Sequence, residues 1–203
     1  MITVINLKIS NIASVTRALK YLKVEHNVCD KPEGIMSADK LILPGVGSFA
    51  EGVLRLRNSG IGLALRKKVM DEKVPILGIC LGMQLLASTG EEGGVSEGLG
   101  FIKGRVSLHR AGENGFKLPH IGWNDVRFDN FRVFDSIPDN SCFYFVHSYE
   151  MIVEEPAVCA YSNYGVDFVA AIKKDNILGT QFHPEKSQDF GLMLLKNFCE
   201  DKF

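Results

Sequence analysis

Two short segments carry the side chains best suited to covalent chemistry, and the first surrounds Cys80. Within residues 75–86 a short apolar run, suitable for a buried strand, leads into an apolar helix start, with Cys80 between Gly78 and Gly82. A reactive side chain at a glycine-flanked strand-to-helix turn is typical of hydrolases, which often carry Ser there. The helix N-terminus after Cys80 favours a thiolate. The alternative interpretation is a structural cysteine, because free Cys is among the most buried residue types.

The second segment is His183-Pro184-Glu185, which follows the apolar run 178–182. Because residues two apart in an extended chain point to the same side, Glu185 is expected beside His183 and could fix the tautomer of its imidazole. A cysteine, a histidine base and an orienting carboxylate form the usual pattern of an activated nucleophile. The pattern His-x-Glu alone is also compatible with a strand-end histidine and a solvated glutamate. Its occurrence together with the Cys80 turn favours the catalytic interpretation.

A thiolate that attacks a carbonyl also needs hydrogen-bond donors for the oxyanion. The geometry of a strand-to-helix turn predicts that the backbone N–H of Leu81 is the first donor. The segment Gly45-Val46-Gly47 follows another predicted strand, and the N–H of Val46 could supply the second donor, with its glycine neighbours allowing the peptide to flip. Since Pro-Gly commonly ends a strand, a plain turn is the alternative.

Composition places the chain among ordinary globular proteins. It has 203 residues, of which 46% are apolar and 23% charged, and its net charge of −1 gives no reason to expect nucleic acid or an anionic membrane as a partner. No apolar run is long enough for a transmembrane helix, and the first residues do not resemble a signal peptide. Five scattered cysteines without a CxxC pair argue against disulfides and a zinc site and for a reducing compartment. We expect a cytoplasmic protein that needs no metal or cofactor.

Strands that alternate with helices over the first ninety residues predict a parallel sheet covered on both faces. The carboxyl ends of such strands meet at one edge, which would bring Val46 and Cys80 together. The expected strands are 2–7, 24–29, 40–43 and the apolar run that leads from Pro75 to Cys80. The expected helices are 12–22, 49–56 and 61–72.

From about Gly90 the segments become short and β-rich. We expect strands at 101–109, 126–128, 143–149, 157–161, 166–172 and 177–182, and a final helix at 189–199. No linker long enough to uncouple the two halves is visible. The predicted architecture is one domain over residues 1–203, an α/β three-layer sandwich with a central, mostly parallel sheet and a β-rich C-terminal half.

Five motifs, in order along essentially the whole chain, resemble the class-I, Cys-His-Glu glutamine amidotransferases. They most resemble the glutaminase subunits of imidazole glycerol phosphate synthases, and the resemblance implies a flavodoxin-like fold. The motifs are residues 44–49, 78–84, 119–124, 143–149 and 183–185.

The resemblance also implies roles for individual residues. Cys80 would attack the side-chain amide of L-glutamine and form a glutamyl thioester with release of ammonia, while His183 transfers protons and Glu185 orients it. His120 and Trp123 are expected to be structural or partner-facing. The glutamine pocket would comprise Gly47, Gln84, Glu92, His147, Ser148 and Tyr149.

The remaining expectations concern the positions of two histidines and the choice between two adjacent glutamates. His26 and His109 match no role in the family and are expected at the surface. A carboxylate at Glu92 suits the α-ammonium group of glutamine, with the adjacent Glu91 as the alternative.

The resemblance further implies a partner, a (β/α)8-barrel cyclase that uses the ammonia to make imidazole glycerol phosphate in histidine biosynthesis, within a heterodimer. The Gly-Asn pair that usually precedes the first helix in this family is missing from residues 7–15. Related subunits feed ammonia to a sugar-modifying enzyme for surface polysaccharide, so this pathway is the alternative. A non-catalytic glutamine sensor is a third hypothesis, against which the complete set Cys80, His183 and Glu185 argues.

Overall fold

The computed structural model describes residues 1–202 and is built on a seven-stranded sheet with a smaller four-stranded sheet and a two-stranded ribbon. The strands are β1 (Ile2–Ile5), β2 (His26–Cys29), β3 (Lys40–Gly45), β4 (Ile76–Cys80), β5 (Ala87–Gly90), β6 (Ser96–Glu97), β7 (Ile102–Leu108), β8 (His120–Val126), β9 (Ser141–His147), β10 (Tyr149–Val153), β11 (Val158–Asn163), β12 (Asp167–Lys174) and β13 (Ile177–Thr180). The helices are α1 (Ile12–Tyr21), α2 (Pro32–Met36), α3 (Phe49–Ser59), α4 (Ile61–Leu65), α5 (Leu81–Gln84) and α6 (Gln188–Cys199).

The main sheet has the order β11-β12-β13-β4-β3-β1-β2. Its five strands from β13 to β2 run parallel, and β12 and β11 extend one edge in antiparallel fashion. Every residue of β4 is buried, as expected for a central parallel strand covered on both faces. The predicted central, mostly parallel sheet is therefore confirmed, and β4 places Cys80 at its carboxyl edge.

Each face of the main sheet carries its own hydrophobic core. One core includes Phe49 of α3 and Leu65 of α4 and continues into the four-stranded sheet β10-β7-β5-β6. The other includes Leu19 of α1, Phe143 of β9 and Leu195 of α6. The sheet thus lies between two packed layers, which confirms the three-layer sandwich.

The β-rich C-terminal half differs from the sequence-based expectation at residues 126–128, and the expected strands also did not include β6 and β10. A strand at residues 126–128 is wrong, because β8 occupies His120–Val126 and pairs with β9 along its whole length. Gly122, Asn124 and Asp125 have low strand propensity, and here the long-range pairing with β9 overrides that preference. The ribbon β8–β9 lies over the same sheet edge as Cys80, since the carbonyl oxygen of Val146 is 3.8 Å from the sulfur.

The helical region after α3 agrees with expectation in position but not in regularity. The expected helix 61–72 is divided into α4 and a segment of wider, π-type turns at Arg66–Asp71. Within residues 1–202, no helix combines the length and the apolar content that crossing a membrane requires.

Two glycines allow the strand-to-helix turn at Cys80 to close. A Cβ on Gly82 would overlap the carbonyl oxygen of Leu43 in β3, and a Cβ on Gly78 would lie 2.7 Å from the backbone of Gly82. Both obstacles are backbone atoms of buried elements, which cannot move aside as a flexible side chain would. The turn therefore requires glycine at these positions for reasons of space.

The substitution Gly82→Ala should destabilise the fold by about 2–3 kcal/mol, because the added methyl group has to displace the Leu43 peptide. Urea unfolding followed by circular dichroism measures this change. The matched control is Gly62→Ala in α4, where the nearest atom to an added Cβ is 3.5 Å away. That substitution should be neutral or stabilise by up to about 1 kcal/mol. Equal stabilities for the two variants would contradict the steric argument.

Candidate active site

Cys80 has an unusual backbone conformation, with φ 54° and ψ −111° at the junction of β4 and α5. Non-glycine residues rarely adopt positive φ, and such strain costs of order 1–3 kcal/mol and is concentrated at functional sites. Register pairing places Gly45 of β3 opposite Cys80, so β3 and β4 end side by side. The side chain is almost fully buried, with a residue exposure of 6%.

His183 and Glu185 form a buried hydrogen-bonded pair beyond the end of β13. The Nδ1 atom of His183 is 2.8 Å from Oε1 of Glu185, and both side chains are 3% exposed. The backbone N–H of His183 donates to the carbonyl of Tyr144 in β9, and the hydroxyl of Ser187 donates to the carbonyl of His183. The main chain on both sides of the imidazole is thereby fixed, so the ring has little freedom to turn away.

The charge balance around His183 favours a protonated imidazole. Burial lowers its pKa, but the neighbouring Cys80 and Glu185 side chains outweigh burial and raise the pKa to about 10. Since Nδ1 faces a carboxylate, Nδ1 carries a proton, and Nε2 is the atom left for proton transfer. Within residues 1–202 this Nε2 makes no hydrogen bond of ordinary geometry. The structure therefore brings Cys80, His183 and Glu185 together as the sequence predicts.

A cavity of about 220 Å³ opens beside the sulfur of Cys80. It lies between the ends of β3 and β4 and the loop that joins β9 to β10. Every residue predicted for the glutamine pocket and the oxyanion donors lies in its wall. The lining residues are Val46, Gly47, Cys80, Leu81, Gln84, Glu92, Val146, His147, Ser148 and Tyr149.

Glu92, and not its neighbour Glu91, is the carboxylate of this cavity. Its Oε2 accepts a hydrogen bond from the backbone N–H of Phe49 at the start of α3, at 3.0 Å. Burial raises the pKa of Glu92, and the hydrogen bond from Phe49 partly opposes that effect. Glu91 is exposed and is not among the residues that line the cavity. The position of Glu92 suits a cationic group of a bound molecule.

The two predicted oxyanion donors differ in their availability. The N–H of Leu81 is the first amide of α5, and amides in the first helical turn lack an intrahelical acceptor. The N–H of Val46 instead donates to the carbonyl of Ile9, at 2.8 Å. In this conformation the Val46 amide is engaged outside the cavity, and it reaches the cavity only if its peptide rotates. The next residue, Gly47, already has φ +100°.

His147 lines the cavity, but protein atoms occupy both of its ring nitrogens. Its Nδ1 is 2.9 Å from the carbonyl oxygen of Tyr149, and its Nε2 is 3.1 Å from Nδ1 of His120. Burial lowers the pKa of His147 to about 3 and that of His120 to about 4, so both imidazoles are neutral. The role of His147 is therefore to shape the wall of the cavity.

The expectation that His109 lies at the surface is wrong. This residue directly follows β7 and is only 1% exposed, with its ring 4.8 Å from that of Phe168 and 5.3 Å from that of His147. Pairing of β7 with β10 carries it into the interior, which a local sequence pattern does not reveal. His26 is half-buried, and its Nδ1 lies 2.8 Å from the carbonyl oxygen of Val24.

Gln181 is a polar neighbour of the sulfur that sequence reasoning missed. It is fully buried, its Oε1 accepts from Nε2 of Gln84 at 3.0 Å, and its Nε2 is 3.8 Å from the sulfur of Cys80. The available signal was its position two residues before His183, because alternate residues of an extended segment share a side.

The substitution Glu185→Gln should lower the pKa of His183 by about 1–3 units, since it removes one of the two groups that oppose the effect of burial. Titration of the ¹⁵N-labelled imidazole by NMR measures the change. The control Glu91→Gln removes an exposed carboxylate and should leave the titration unchanged. A value still close to 10 in Glu185→Gln would show that Glu185 does not support the imidazolium.

Comparisons with known proteins identify the relatives of this chain. The model of the family "Glutamine amidotransferase class-I" matches residues 3–202. The chain is 46% identical over 199 residues to imidazole glycerol phosphate synthase subunit HisH 1 of Campylobacter jejuni (strain RM1221), with 98% of each chain covered. It is 44% identical over 202 residues to imidazole glycerol phosphate synthase subunit HisH 2 of Methanococcus maripaludis, with 98% of this chain and 99% of the relative covered.

A solved structure shows the same fold at lower identity. A crystal structure of a glutamine amidotransferase superposes with a TM-score of 0.77 at 21% identity, covering 98% of this chain and 97% of that one. The match of the family model to residues 3–202 and the relatives at 46% and 44% identity assign the chain to the same family. The chain belongs to the class-I glutamine amidotransferases and, within them, to the HisH subunits of imidazole glycerol phosphate synthase.

Proposed function

We propose that this chain hydrolyses L-glutamine at Cys80 and supplies the ammonia to a (β/α)8-barrel cyclase subunit that makes imidazole glycerol phosphate in histidine biosynthesis. The observation that carries the proposal is the buried constellation of Cys80, His183 and Glu185 beside a cavity with a carboxylate in its wall. The names of the two relatives described above support the histidine pathway. The sugar-modifying pathway rests only on the missing Gly-Asn pair, and the names of these relatives do not favour it.

The chemistry follows from the positions of the three side chains. The sulfur of Cys80, as a thiolate, attacks the side-chain carbonyl carbon of glutamine, and the carbonyl oxygen becomes an oxyanion facing the N–H of Leu81. Nε2 of protonated His183 then gives its proton to the departing nitrogen, and ammonia leaves a glutamyl thioester. A water molecule attacks this thioester while His183 takes up the proton, and glutamate is released. Glu185 holds Nδ1 throughout.

Substrate recognition relies on opposite charge in the wall of the cavity. The carboxylate of Glu92 would pair with the α-ammonium group of glutamine, because a half-buried carboxylate has to be matched by a cation or by donors. Among residues 1–202 the N–H of Phe49 is the one donor to this carboxylate, which leaves room for further hydrogen bonds to it. Gly47 and Ser148 would approach the substrate mainly through their backbone.

The Val46 amide provides a means of control by the partner. With its N–H donated to Ile9, the oxyanion of the intermediate faces only one of the two proposed donors. Loss of one such donor typically reduces turnover by 10²–10³-fold. Binding of the cyclase near this loop would rotate the peptide and complete the oxyanion hole. The isolated subunit would then waste little glutamine.

The partner would dock on the outer face of the ribbon β8–β9. Ile121 and Trp123 are 60% and 48% exposed, and Val46 beside the cavity is 40% exposed. Alternation along β8 turns His120 inward and Ile121 and Trp123 outward. Val146 of β9, the pairing partner of Ile121, has its carbonyl oxygen 3.8 Å from the sulfur of Cys80. Covering this face would keep ammonia from water, where it becomes non-nucleophilic ammonium. A heterodimer through this surface is therefore part of the proposal.

The proposal also includes the extent of the domain and the cellular compartment. Residues 1–203 would act as a single glutamine amidotransferase domain, which agrees with the family match over residues 3–202. The enzyme would work in the cytoplasm, since its five cysteines are free in the described part of the chain and a reduced Cys80 is the nucleophile.

The substitution Cys80→Ala should reduce glutamine-dependent synthesis by the reconstituted complex roughly 10³-fold or more, because the nucleophile is lost. Synthesis from added ammonium salt should remain, because the cyclase only needs ammonia. Both rates are measured from the imidazole product with the purified cyclase present. The control Cys159→Ala removes a partly buried thiol of β11 and should behave as wild type.

Growth of a histidine auxotroph distinguishes the two pathways. A strain that lacks its own glutaminase subunit should grow without histidine when it carries the wild-type chain and a matching cyclase, and should not do so with Cys80→Ala. Failure of the wild-type chain in this strain, together with glutamine hydrolysis in vitro, would contradict the histidine pathway while leaving the chemistry intact.

Glutaminase activity should rise by about 10²-fold or more when the cyclase binds, since the second oxyanion donor becomes available. Hydrogen exchange at the Val46 amide gives the structural readout. This amide should be protected in the isolated chain by its bond to Ile9, and should lose that protection in the complex until a glutamine analogue occupies the site. Full glutaminase activity in the isolated chain would contradict this mechanism.

A further inference from the structure

A buried pair of side-chain amides lies directly behind the nucleophile. Gln181 is 0% exposed and lies between Gln84 on one side and the sulfur of Cys80 on the other. Gln84 is 4% exposed and also contacts the carbonyl oxygen of Tyr149, at 3.1 Å. A buried polar side chain has to be hydrogen-bonded or it destabilises the fold, so the arrangement of this pair is determined by its neighbours.

The orientation of both amides follows from what each neighbour can do. The carbonyl oxygen of Tyr149 can only accept, so Gln84 must present its nitrogen to it. The same nitrogen lies 3.0 Å from Gln181, which must therefore present its oxygen. The remaining end of Gln181, its NH₂ group, then faces the sulfur of Cys80 at 3.8 Å. An N–H donor is thus directed at the atom that must carry negative charge.

A second polar neighbour of the sulfur has the reverse polarity. The carbonyl oxygen of Val146 is also 3.8 Å from the sulfur, and it can accept a hydrogen bond from a thiol but repels a thiolate. The amide of Gln181 does the opposite, because a donor stabilises a negatively charged acceptor more than a neutral one. The balance between these two neighbours decides how much of Cys80 is reactive and where its lone pair points.

We propose that Gln181 is a positioning residue that donates a hydrogen bond to the sulfur of Cys80, holds it as the thiolate and directs it toward the cavity. This inference rests on the proposed function of Cys80 as the nucleophile. It extends the active site by one residue behind the Cys80, His183 and Glu185 set. Gln84 takes part by fixing the orientation of the Gln181 amide.

The test compares two variants of Gln181 by the pH dependence of Cys80 alkylation with iodoacetamide, followed by mass spectrometry. Gln181→Met keeps the length of the side chain without polar atoms, and Gln181→Glu keeps an acceptor for Gln84 but replaces the donor with an oxygen. Both should move the pH midpoint of alkylation upward by about half to one unit or more. Both should lower kcat for glutamine hydrolysis by the complex about tenfold, with a smaller change in KM.

The matched control is Thr180→Val, the preceding residue on the same segment. Thr180 is equally buried, and its hydroxyl donates to the carbonyl of Phe182 without contacting the sulfur. This variant should lose some thermal stability yet keep the wild-type pH midpoint.

The outcomes separate the inference from the function on which it rests. A wild-type midpoint in folded Gln181→Glu, or a loss of stability in Gln181→Met with no change in its midpoint, would show that Gln181 only fills space and would overturn the inference. Absence of glutamine hydrolysis by the wild-type complex would instead overturn the proposed function. Should Gln181→Met fail to fold, Gln181→Glu alone decides, because it retains the contact with Gln84.

Discussion

The active site depends on one local constraint, the close packing of α5 against β3 and β4. Cys80 holds positive φ because β4 is fully buried between two parallel neighbours, while Gly82 lies against the Leu43 peptide with no room for a side chain. The strain at one residue is small beside the packing of a central strand, so it persists. The same geometry places the sulfur at the edge of the sheet. It also leaves the first amides of α5 accessible to the group that the sulfur attacks.

Around this turn, buried histidines have different charge states. His183 has a raised pKa because a carboxylate and a sulfur face it, although burial acts against the charge. For His147 and His120 burial is the largest effect, and the neighbouring imidazoles act in the same direction, so their pKa values fall. The protein thus separates a proton-carrying imidazole from neutral structural imidazoles by the choice of neighbours.

Local sequence patterns predicted the parts of the site that are local in the chain. The glycines around Cys80 and the spacing of His183 and Glu185 express geometry within a few residues, and the structure brings these side chains together as expected. The parallel half of the fold could also be predicted, because segments with the hydrophobic periodicity of a strand alternate there with segments that have the periodicity of a helix.

What the sequence did not reveal depends on long-range pairing. The register of β8 with β9 sets which residues of both strands face inward, and β8 contains glycine and polar residues that obscure its period. The burial of His109 follows from the pairing of β7 with β10. Gln181 owes its importance to Cys80 and Gln84, each about one hundred positions away in the chain. No window of neighbouring residues contains such information.

The neutral histidines behind the cavity have a consequence for acid tolerance. His120 and His147 hold folded pKa values of about 4 and about 3, whereas an unfolded histidine titrates near pH 6.5. Below that pH the unfolded chain takes up protons that the folded chain refuses, so the free energy of unfolding falls as the medium is acidified from about pH 6.5 toward pH 3. Both histidines belong to the ribbon β8–β9, so this pH dependence of stability comes from the strands that support the cavity wall.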